Sequence, residues 1–269
     1  MEQRVFHAAT DISTKVNDFR AGVHTFNYTL GQFLYIGSIL PFNNLWFELG
    51  VLNIVPATVT VEIWYGGAWT SAVDVIDETT GLTETGRISW NTDLGKSWDL
   101  VEESKNVTGL PAGSRIFDMY WCRLSWSATL TTTTTLKYIG QKFATDGILY
   151  GIYPDLNNDQ TKLSFASGKT NWDEQHYIAA EEIVKELKKR GVIKARQQIM
   201  DYKMFENAAC RKIAEIVYTA FGAPYFDQLK LAKDEFSKAM NIEFPAVDQN
   251  ADGTVSSAER AFSMAFGRR

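Results

Sequence analysis

The chain has 269 residues, of which 45% are hydrophobic and 22% are charged. This length allows one large domain or two modest ones, and the composition is typical of a globular protein rather than a disordered or fibrous one. The formal net charge is -5 and the sequence has no basic stripe, so nucleic acid is not expected as its main partner. Seven of the eight tryptophans precede residue 144, which indicates that the two halves differ.

The chain shows no pattern for secretion or for a membrane span. Its first residues lack the apolar core of a signal peptide, and Pro41, Glu48 and three asparagines interrupt the most apolar stretch, 38–55. We therefore expect assembly in the cytosol. Cys122 and Cys210 are too few for a disulfide framework and are predicted to be buried free thiols of a reducing compartment.

The first half alternates apolar and polar residues with the period of two that is typical of strands with one buried face. Gly66 and Gly67 predict a tight hairpin with a returning strand over 68–73, and the β-branched run 129–139 predicts a last strand. We expect an antiparallel β-sandwich of jelly-roll type over residues 1–143. The faces predicted to be buried comprise Leu45, Phe47, Leu49 and Val51; Val59, Val61, Ile63 and Tyr65; and Tyr120, Cys122, Leu124 and Trp126.

The tryptophans of this half allow two interpretations. Trp46, Trp64 and Trp121 are predicted on exposed strand faces, and a further three are predicted in loops, namely Trp69, Trp90 and Trp98. Flat exposed rings stack on sugars, so glycan binding is one interpretation. Packing in a core or a protein interface is the other, and it is favoured because sandwich proteins use tryptophan there just as readily.

The second half changes to a helical period. Asn171 and Glu174 predict a capped helix, which the cations at 188–190 and Gly191 end. Its predicted apolar stripe contains Tyr177, Ala180, Ile183, Val184 and Leu187. A second helix is predicted from a cap at Asp201 to Gly222, and a third after Pro224 with Leu229, Phe236 and Met240 facing inward. Residues 144–269 are therefore expected to form a helical bundle, which makes the whole chain an α+β protein of two domains.

One motif carries chemistry, the segment 248–259, which fits the twelve-residue EF-hand loop for calcium. Gly253 stands at the sharp bend and Val255 at the usual aliphatic position. Ser256 would contribute a hydroxyl or a bridging water. The predicted calcium ligands are Asp248, Asn250, Asp252, Thr254 through its backbone carbonyl, and Glu259 through both carboxylate oxygens.

Two features limit this interpretation to a structural ion. Pro245 makes a helix that runs straight into the loop unfavourable, and the chain has no second loop with which a sensor would pair. We expect calcium to hold the last helix, 257–266. A loop of the same shape that hydrogen bonds hold without metal remains an alternative.

The sequence contains no nucleophile elbow, P-loop, dinucleotide fingerprint or C-x-x-C motif. The histidines His7, His24 and His176 are scattered, without the spacing of metal ligands. A catalytic function is therefore not expected.

Three segments of the second half, FATDGILYGIYPDL, AACRKIAEIVYTAFG and FDQLKLAKDEFSKAM with the acidic loop after it, resemble head-to-tail adaptor proteins of tailed bacteriophages. The resemblance covers about residues 143–269. It implies a helical subunit of a ring, usually twelve-fold, which lies beneath the portal and joins capsid to tail. It also implies contacts with the portal, with a tail or next neck protein and with copies of itself, while DNA passes through the lumen.

The first half, with LYIGSILPFNNLWFEL, VTVEIWYGGAW and YWCRLSWS, resembles β-sandwich domains attached to phage neck and tail proteins. The minimal adaptor lacks such a domain. The resemblance implies an outward decoration or a docking site for fibres or whiskers.

The leading hypothesis is thus a virion structural protein of the neck. The alternative is a glycan-binding or fibre-attachment tail protein that acts through the sandwich. Under that alternative, replacing Trp69 or Trp98 by alanine should abolish binding to host polysaccharide. A third hypothesis is a secreted carbohydrate-binding module with a dockerin-like tail. It is less favoured, because the chain has a single calcium-type loop and its first residues lack the pattern of a signal peptide.

Overall fold

The computed structural model describes residues 2–91, 107–114, 118–241, 247–248, 250, 255–256 and 259. These residues form an α+β structure with two antiparallel sheets and six α-helices. Contacts divide the chain into two compact units, Met1–Gly140 with Asp248–Val255 and Gln141–Val247 with Ser256–Arg269. The predicted domains, 1–143 and 144–269, differ from these units by three residues at the boundary and by residues 248–255, which group with the strands.

The described strands all lie in the first unit. They are β1 (Gln3–His7), β2 (Thr10–Asp11), β3 (His24–Thr25), β4 (Leu34–Ser38), β5 (Asn44–Val51), β6 (Val59–Tyr65), β7 (Ala68–Ser71), β8 (Val73–Asp77), β9 (Gly86–Asn91), β10 (Tyr120–Trp126) and β11 (Thr135–Gly140). One sheet has the order β2-β1-β4-β10-β6-β7 and the other the order β3-β11-β5-β9-β8.

The antiparallel sheets that we predicted are confirmed, because every pairing between the described strands is antiparallel. In these pairings β4 lies beside β10, and β5 lies between β9 and β11. The jelly-roll type of the sandwich stays a prediction.

Each sheet turns one face into a shared apolar core. Leu45, Phe47 and Leu49 of β5 belong to the same buried cluster as Val61 and Ile63 of β6. On β10 the inward face contains Cys122, Leu124 and Trp126. The period-two alternation therefore identified the inward side of these three strands, because successive strand residues point to opposite faces.

The hairpin after β6 is confirmed, but the returning strand and the last strand are shorter than predicted. Gly66 and Gly67 have φ of +61° and +75°, and Tyr65 lies opposite Ala68. The returning strand ends at Ser71, and β8 continues in the other sheet. The last strand covers Thr135–Gly140 rather than 129–139.

Five of the described helices belong to the second unit: α2 (Asp146–Ile152), α3 (Asp159–Phe165), α4 (Asp173–Lys189), α5 (Glu206–Phe221) and α6 (Phe226–Ala239). The short α1 (Ser13–Val16) lies in the first unit. The three predicted helices are α4, α5 and α6, whereas α2 and α3 were not predicted. No helix in the described part of the chain has the length and apolar composition needed to cross a membrane.

The end of α4 follows the predicted signals, but its start differs from the predicted cap. Asn171 Oδ1 accepts a hydrogen bond from the Asp173 N–H at 3.3 Å, yet the N-cap residue is Trp172, which makes no side-chain cap hydrogen bond. Gly191 has φ of +71° just after the last turn. The Val192 N–H donates to the Leu187 carbonyl, which completes a Schellman motif. Tyr177 is only half-buried, and the buried part of the predicted stripe comprises Ala180, Ile183, Val184 and Leu187.

Both α5 and α6 start later than predicted because a 3-10 turn precedes each of them. Asp201 Oδ1 accepts a hydrogen bond from the Lys203 N–H at 3.0 Å, but α5 itself begins at Glu206. Pro224 lies in the turn before α6. Of the residues predicted to face inward, Met240 is buried, and Leu229 and Phe236 are half-buried against the same core.

Candidate functional site

The predicted calcium loop, 248–259, lies partly outside the described residues. Asp248, Asn250, Val255, Ser256 and Glu259 are described. The predicted ligands Asp252 and Thr254 are not, and neither is Gly253. The predicted helix 257–266 is described only at Glu259.

The residue at the start of the loop is held in place by buried groups. Val247, just before it, forms an antiparallel bridge with Ile199, and both side chains are buried. Asp248 is fully buried in the first unit, close to Tyr120 at the start of β10. Burial raises the pKa of Tyr120, and the negative charge of Asp248 raises it further.

At the other end of the loop, Ser256 and Glu259 form a reciprocal cap. The Ser256 N–H and hydroxyl donate to Glu259 Oε2 at 2.7 and 2.8 Å, and the Glu259 N–H donates to Ser256 Oγ at 3.2 Å. This is the capping box that begins a helix. One carboxylate oxygen of Glu259, a predicted calcium ligand, therefore accepts two hydrogen bonds from Ser256 without any metal.

The donors at the described positions are chemically suited to calcium, which takes carboxylate, carbonyl and hydroxyl oxygens. Within the residues that the structure describes, no group of three or more histidines, cysteines, aspartates or glutamates could hold a metal ion. Calcium at Asp248, Asn250, Asp252, Thr254 and Glu259 therefore stays a prediction, and so does the metal-free alternative.

The tryptophans are more buried than predicted. Trp46, Trp64 and Trp121 lie on the outward faces of their strands but are at most 5% exposed. Trp69 and Trp90 lie on strands β7 and β9 rather than in loops, and Trp90 belongs to the sandwich core. Trp98 lies outside the described residues. The predicted exposure of the first three rings is therefore wrong.

A covering segment explains the burial of Trp64 and Trp121. Val107 and Leu110 lie within a second apolar cluster on the outer face of the six-stranded sheet, together with both indoles. The indole N–H of Trp69 donates to the Thr108 carbonyl at 2.7 Å and so ties this segment to β7.

Arg123, on β10, contacts two aromatic rings and a carboxylate. The Arg123 guanidinium lies 4.0 Å from the centre of the Phe33 ring and 4.7 Å from that of Trp69. It also binds Glu62 through two hydrogen bonds, at 2.6 and 3.0 Å. The aromatic rings therefore hold a cation of the chain itself, and buried or stacked rings cannot present their faces to a sugar.

The helical unit contains a buried polar cluster that the sequence did not indicate. Asp146, at the start of α2, accepts hydrogen bonds from Tyr150 Oη at 2.8 Å and from the Trp172 N–H at 3.2 Å. Its other oxygen lies 3.0 Å from Nε2 of His176, which is buried on α4. Lys142 and Asp173 form an ion pair at 3.0 Å in the same unit.

The surroundings of His176 and Asp146 lower the pKa of both side chains. Burial lowers the pKa of His176, and the bond to Asp146 opposes that change only in part. Burial alone would raise the pKa of Asp146, but hydrogen bonds from His176 and Tyr150 bring it below its ordinary value. His176 Nδ1 is buried without a hydrogen-bond partner among the described residues. The cluster therefore fastens the start of α2 to the start of α4.

Two further histidines meet in the first unit. His7 Nδ1, on β1, lies 3.1 Å from His24 Nε2, on β3, and the ring planes are nearly perpendicular. β1 and β3 belong to different sheets, so this contact joins the sheets at one edge. The scattered positions in the sequence gave no signal of this pairing.

Comparison with known proteins adds no assignment. No protein-family model, curated protein or solved structure matches the chain.

Proposed function

We propose that the chain is a structural protein of a tailed-phage virion, a head-to-tail adaptor that forms a ring beneath the portal and joins the capsid to the tail. In this proposal residues 1–143 form an added β-sandwich domain, and residues 144–269 form a helical adaptor-like domain with a calcium-type loop. The proposed partners are copies of the chain, the portal and a tail or next neck protein. In the family that the chain resembles, the ring usually has twelve-fold symmetry. The particle is assembled in the host cytoplasm.

The observation that carries the proposal is the position of α6. This helix packs mainly on α5, and among its residues only Ala232 is fully buried. Phe226 and Leu231 are more than half exposed on it. An amphipathic helix that packs mainly on one other helix and exposes large apolar side chains is suited to pack against an adjacent subunit.

The remaining exposed apolar residues of the helical unit support a contact surface of this kind. Ile152, Leu163 and Met204 are each at least one-third exposed. A ring subunit needs side surfaces that bury apolar area against copies of itself, rather than a pocket with reactive groups.

The test is the state of assembly of the full chain, alone and mixed with portal rings, by mass photometry and negative-stain microscopy. We expect closed rings with wild-type protein. Leu231→Asp should abolish them, because it places a charge in the apolar contact, while Gln228→Asp, on the same helix and also exposed, should not.

A chain that stays monomeric both alone and with portal rings would contradict the proposal. A stable trimer would favour the alternative, a fibre-attachment or glycan-binding tail protein. No described contact favours that alternative, since Trp64 and Trp121 are buried and Trp69 binds Thr108.

A further inference from the structure

Three segments of the first half contain no charged residue. They are residues 21–34, 49–61 and 124–136, forty residues in all, whereas a charged fraction of 22% would place about nine charges in that length. The segments contain the connections before β4, between β5 and β6, and between β10 and β11. Hydrogen bonds between them show that these connections meet at one end of the sandwich, which we call the apolar end.

The apolar end exposes large aliphatic side chains together. Five such residues belong to it. Ile54 is 79% exposed and Leu30 is 61% exposed, while Val23, Val51 and Leu52 are each about half exposed. A Cβ at Gly50 would lie 3.4 Å from Val23, and Thr135 pairs with both Val51 and Thr25. Single exposed aliphatic residues are ordinary, but a contiguous group of them marks a contact surface.

The backbone beneath these side chains is satisfied from within. The N–H groups of Leu30, Val51 and Ile54 donate to the hydroxyl oxygens of Thr129, Thr135 and Thr131, at 3.1, 2.7 and 3.1 Å. The Thr58 N–H donates to Ser127 Oγ at 2.9 Å. Exposed loops can leave such donors to water, whereas a surface that becomes buried must satisfy them internally.

We infer that the apolar end is an interface with the apolar end of a second copy of this chain. The chain carries a net charge of -5, so most approaches of two copies bring like charges together. The three segments of the apolar end carry none of these charges, so a contact made by them is free of that repulsion. The adjoining connection between β8 and β9 packs on the second segment, where the Asn53 N–H donates to the Leu82 carbonyl at 2.9 Å, and its exposed Glu78 and Glu84 lie outside the three segments.

The surface is large enough for this partner. A standard interface uses about 20–30 residues on each side. Of the residues in the connections 26–33, 51–58 and 127–134, nineteen are exposed or half-buried, and the exposed Val23 and Gly50 beside them bring the surface to twenty-one residues. A contact between two identical surfaces has two-fold symmetry, so it joins copies of two rings or two free chains rather than neighbours within one ring. The inference rests on the proposed function only for its role in the particle.

The experiment uses the full chain and measures mass against concentration. Ile54→Asp should weaken self-association at least tenfold, because it places a charge where both surfaces are apolar. Ile76→Asp is the matched control, since Ile76 is also an exposed isoleucine of the first unit but lies on β8, outside the apolar end. Equal association of the wild-type protein and the Ile54→Asp variant would overturn the inference.

A cross-linking measurement does not depend on the strength of association. Ile54→Cys should be joined to a second copy by a short bis-maleimide, whereas Ile76→Cys should not. The native thiols of Cys122 and Cys210 are buried, so they do not compete. Equal cross-linking at both positions, or none at position 54, would overturn the inference.

The Leu231→Asp variant separates this inference from the proposed function. If that variant loses rings but still forms dimers that Ile54→Asp removes, both stand. If the wild type forms rings, and the Leu231→Asp variant dimerises equally with and without Ile54→Asp, the adaptor proposal stands and this inference fails. If the wild type forms dimers that Ile54→Asp removes but never forms rings, the inference stands and the adaptor proposal is refuted. A monomer that floats with phosphatidylcholine vesicles would assign the apolar end to a lipid surface and overturn the inference.

Discussion

At the scale of single residues, the three histidines differ because their neighbours differ. His176 is buried against an aspartate, whereas His7 and His24 face each other across the sheet edge. Burial lowers the pKa of His7. Burial, followed by the nearby His7 and Lys15, lowers the pKa of His24 to about 4. Two imidazoles at hydrogen-bond distance cannot both be protonated without repulsion.

This pair predicts a loss of stability in acid. In the unfolded chain a histidine binds its proton near pH 6.5, but in the folded chain His24 does so only near pH 4. The free energy of unfolding should therefore fall as the pH drops from 6.5 towards 4, and the pair should have no such effect above pH 6.5.

Urea unfolding at pH 7 and pH 5 tests this prediction. His24→Gln, which keeps a polar side chain but does not titrate, should lose about 1 kcal/mol less than the wild type between these pH values, a figure reduced for the partial exposure of His24. His176 is present in both proteins and contributes equally. Equal losses would show that His24 does not carry the effect.

At the scale of elements, the two glycine turns show the difference between local and long-range requirements. Gly66 has φ of +61° in the β6–β7 hairpin and faces open space. Gly81, between β8 and β9, has φ of +69°, and a Cβ there would collide with the carbonyl oxygen of Ala57. The sequence predicts the first turn, and only the structure shows that the second one packs against another connection.

Alanine substitutions should separate these two requirements. Gly66→Ala should cost about 1 kcal/mol of unfolding free energy, because only the left-handed backbone conformation is unfavourable. Gly81→Ala should cost about 3 kcal/mol, because the backbone must also move away from Ala57. Thermal and urea unfolding of the two variants give the comparison, and equal costs would contradict the packing argument.

The threonine run shows how tertiary contacts override β propensity. Residues 129–134 are mostly β-branched and read as a strand, yet Thr129 and Thr131 accept hydrogen bonds from the backbones of two other connections. A hydroxyl that is used in this way replaces a ladder hydrogen bond. The last strand therefore begins only at Thr135.

At the scale of the whole molecule, the predicted calcium loop bears on the stability of the folded chain. Asp248–Val255 groups with the strands, while Ser256–Arg269 groups with the helices, so the predicted calcium loop contains one of the three points at which the chain passes from one unit to the other. Ligand binding to the folded state alone would raise stability by mass action.

Calcium titration tests the predicted ion. Isothermal titration of the purified protein should give binding heats that Asp252→Ala abolishes and Asp227→Ala, an exposed acid on α6, leaves unchanged. The melting temperature should rise with calcium and fall back with chelator. Equal heats for the wild type and the Asp252→Ala variant would remove the site and favour the metal-free loop.

The sequence alone determined the features that depend on near neighbours along the chain. The alternation in β5, β6 and β10, the Gly66-Gly67 hairpin and the end of α4 at Gly191 all depend on backbone periodicity and on local hydrogen bonds. These are properties of a few consecutive residues, so the sequence was sufficient to predict them.

Only the tertiary structure decided which residues meet across the chain. The cover over Trp64 and Trp121, the pairing of His7 with His24, the cluster at Asp146 and the strand order all join residues that are far apart in sequence. The same holds for the apolar end, where three uncharged connections come together. Such contacts depend on how the sheets and helices pack, and a single sequence carries no local signal of that packing.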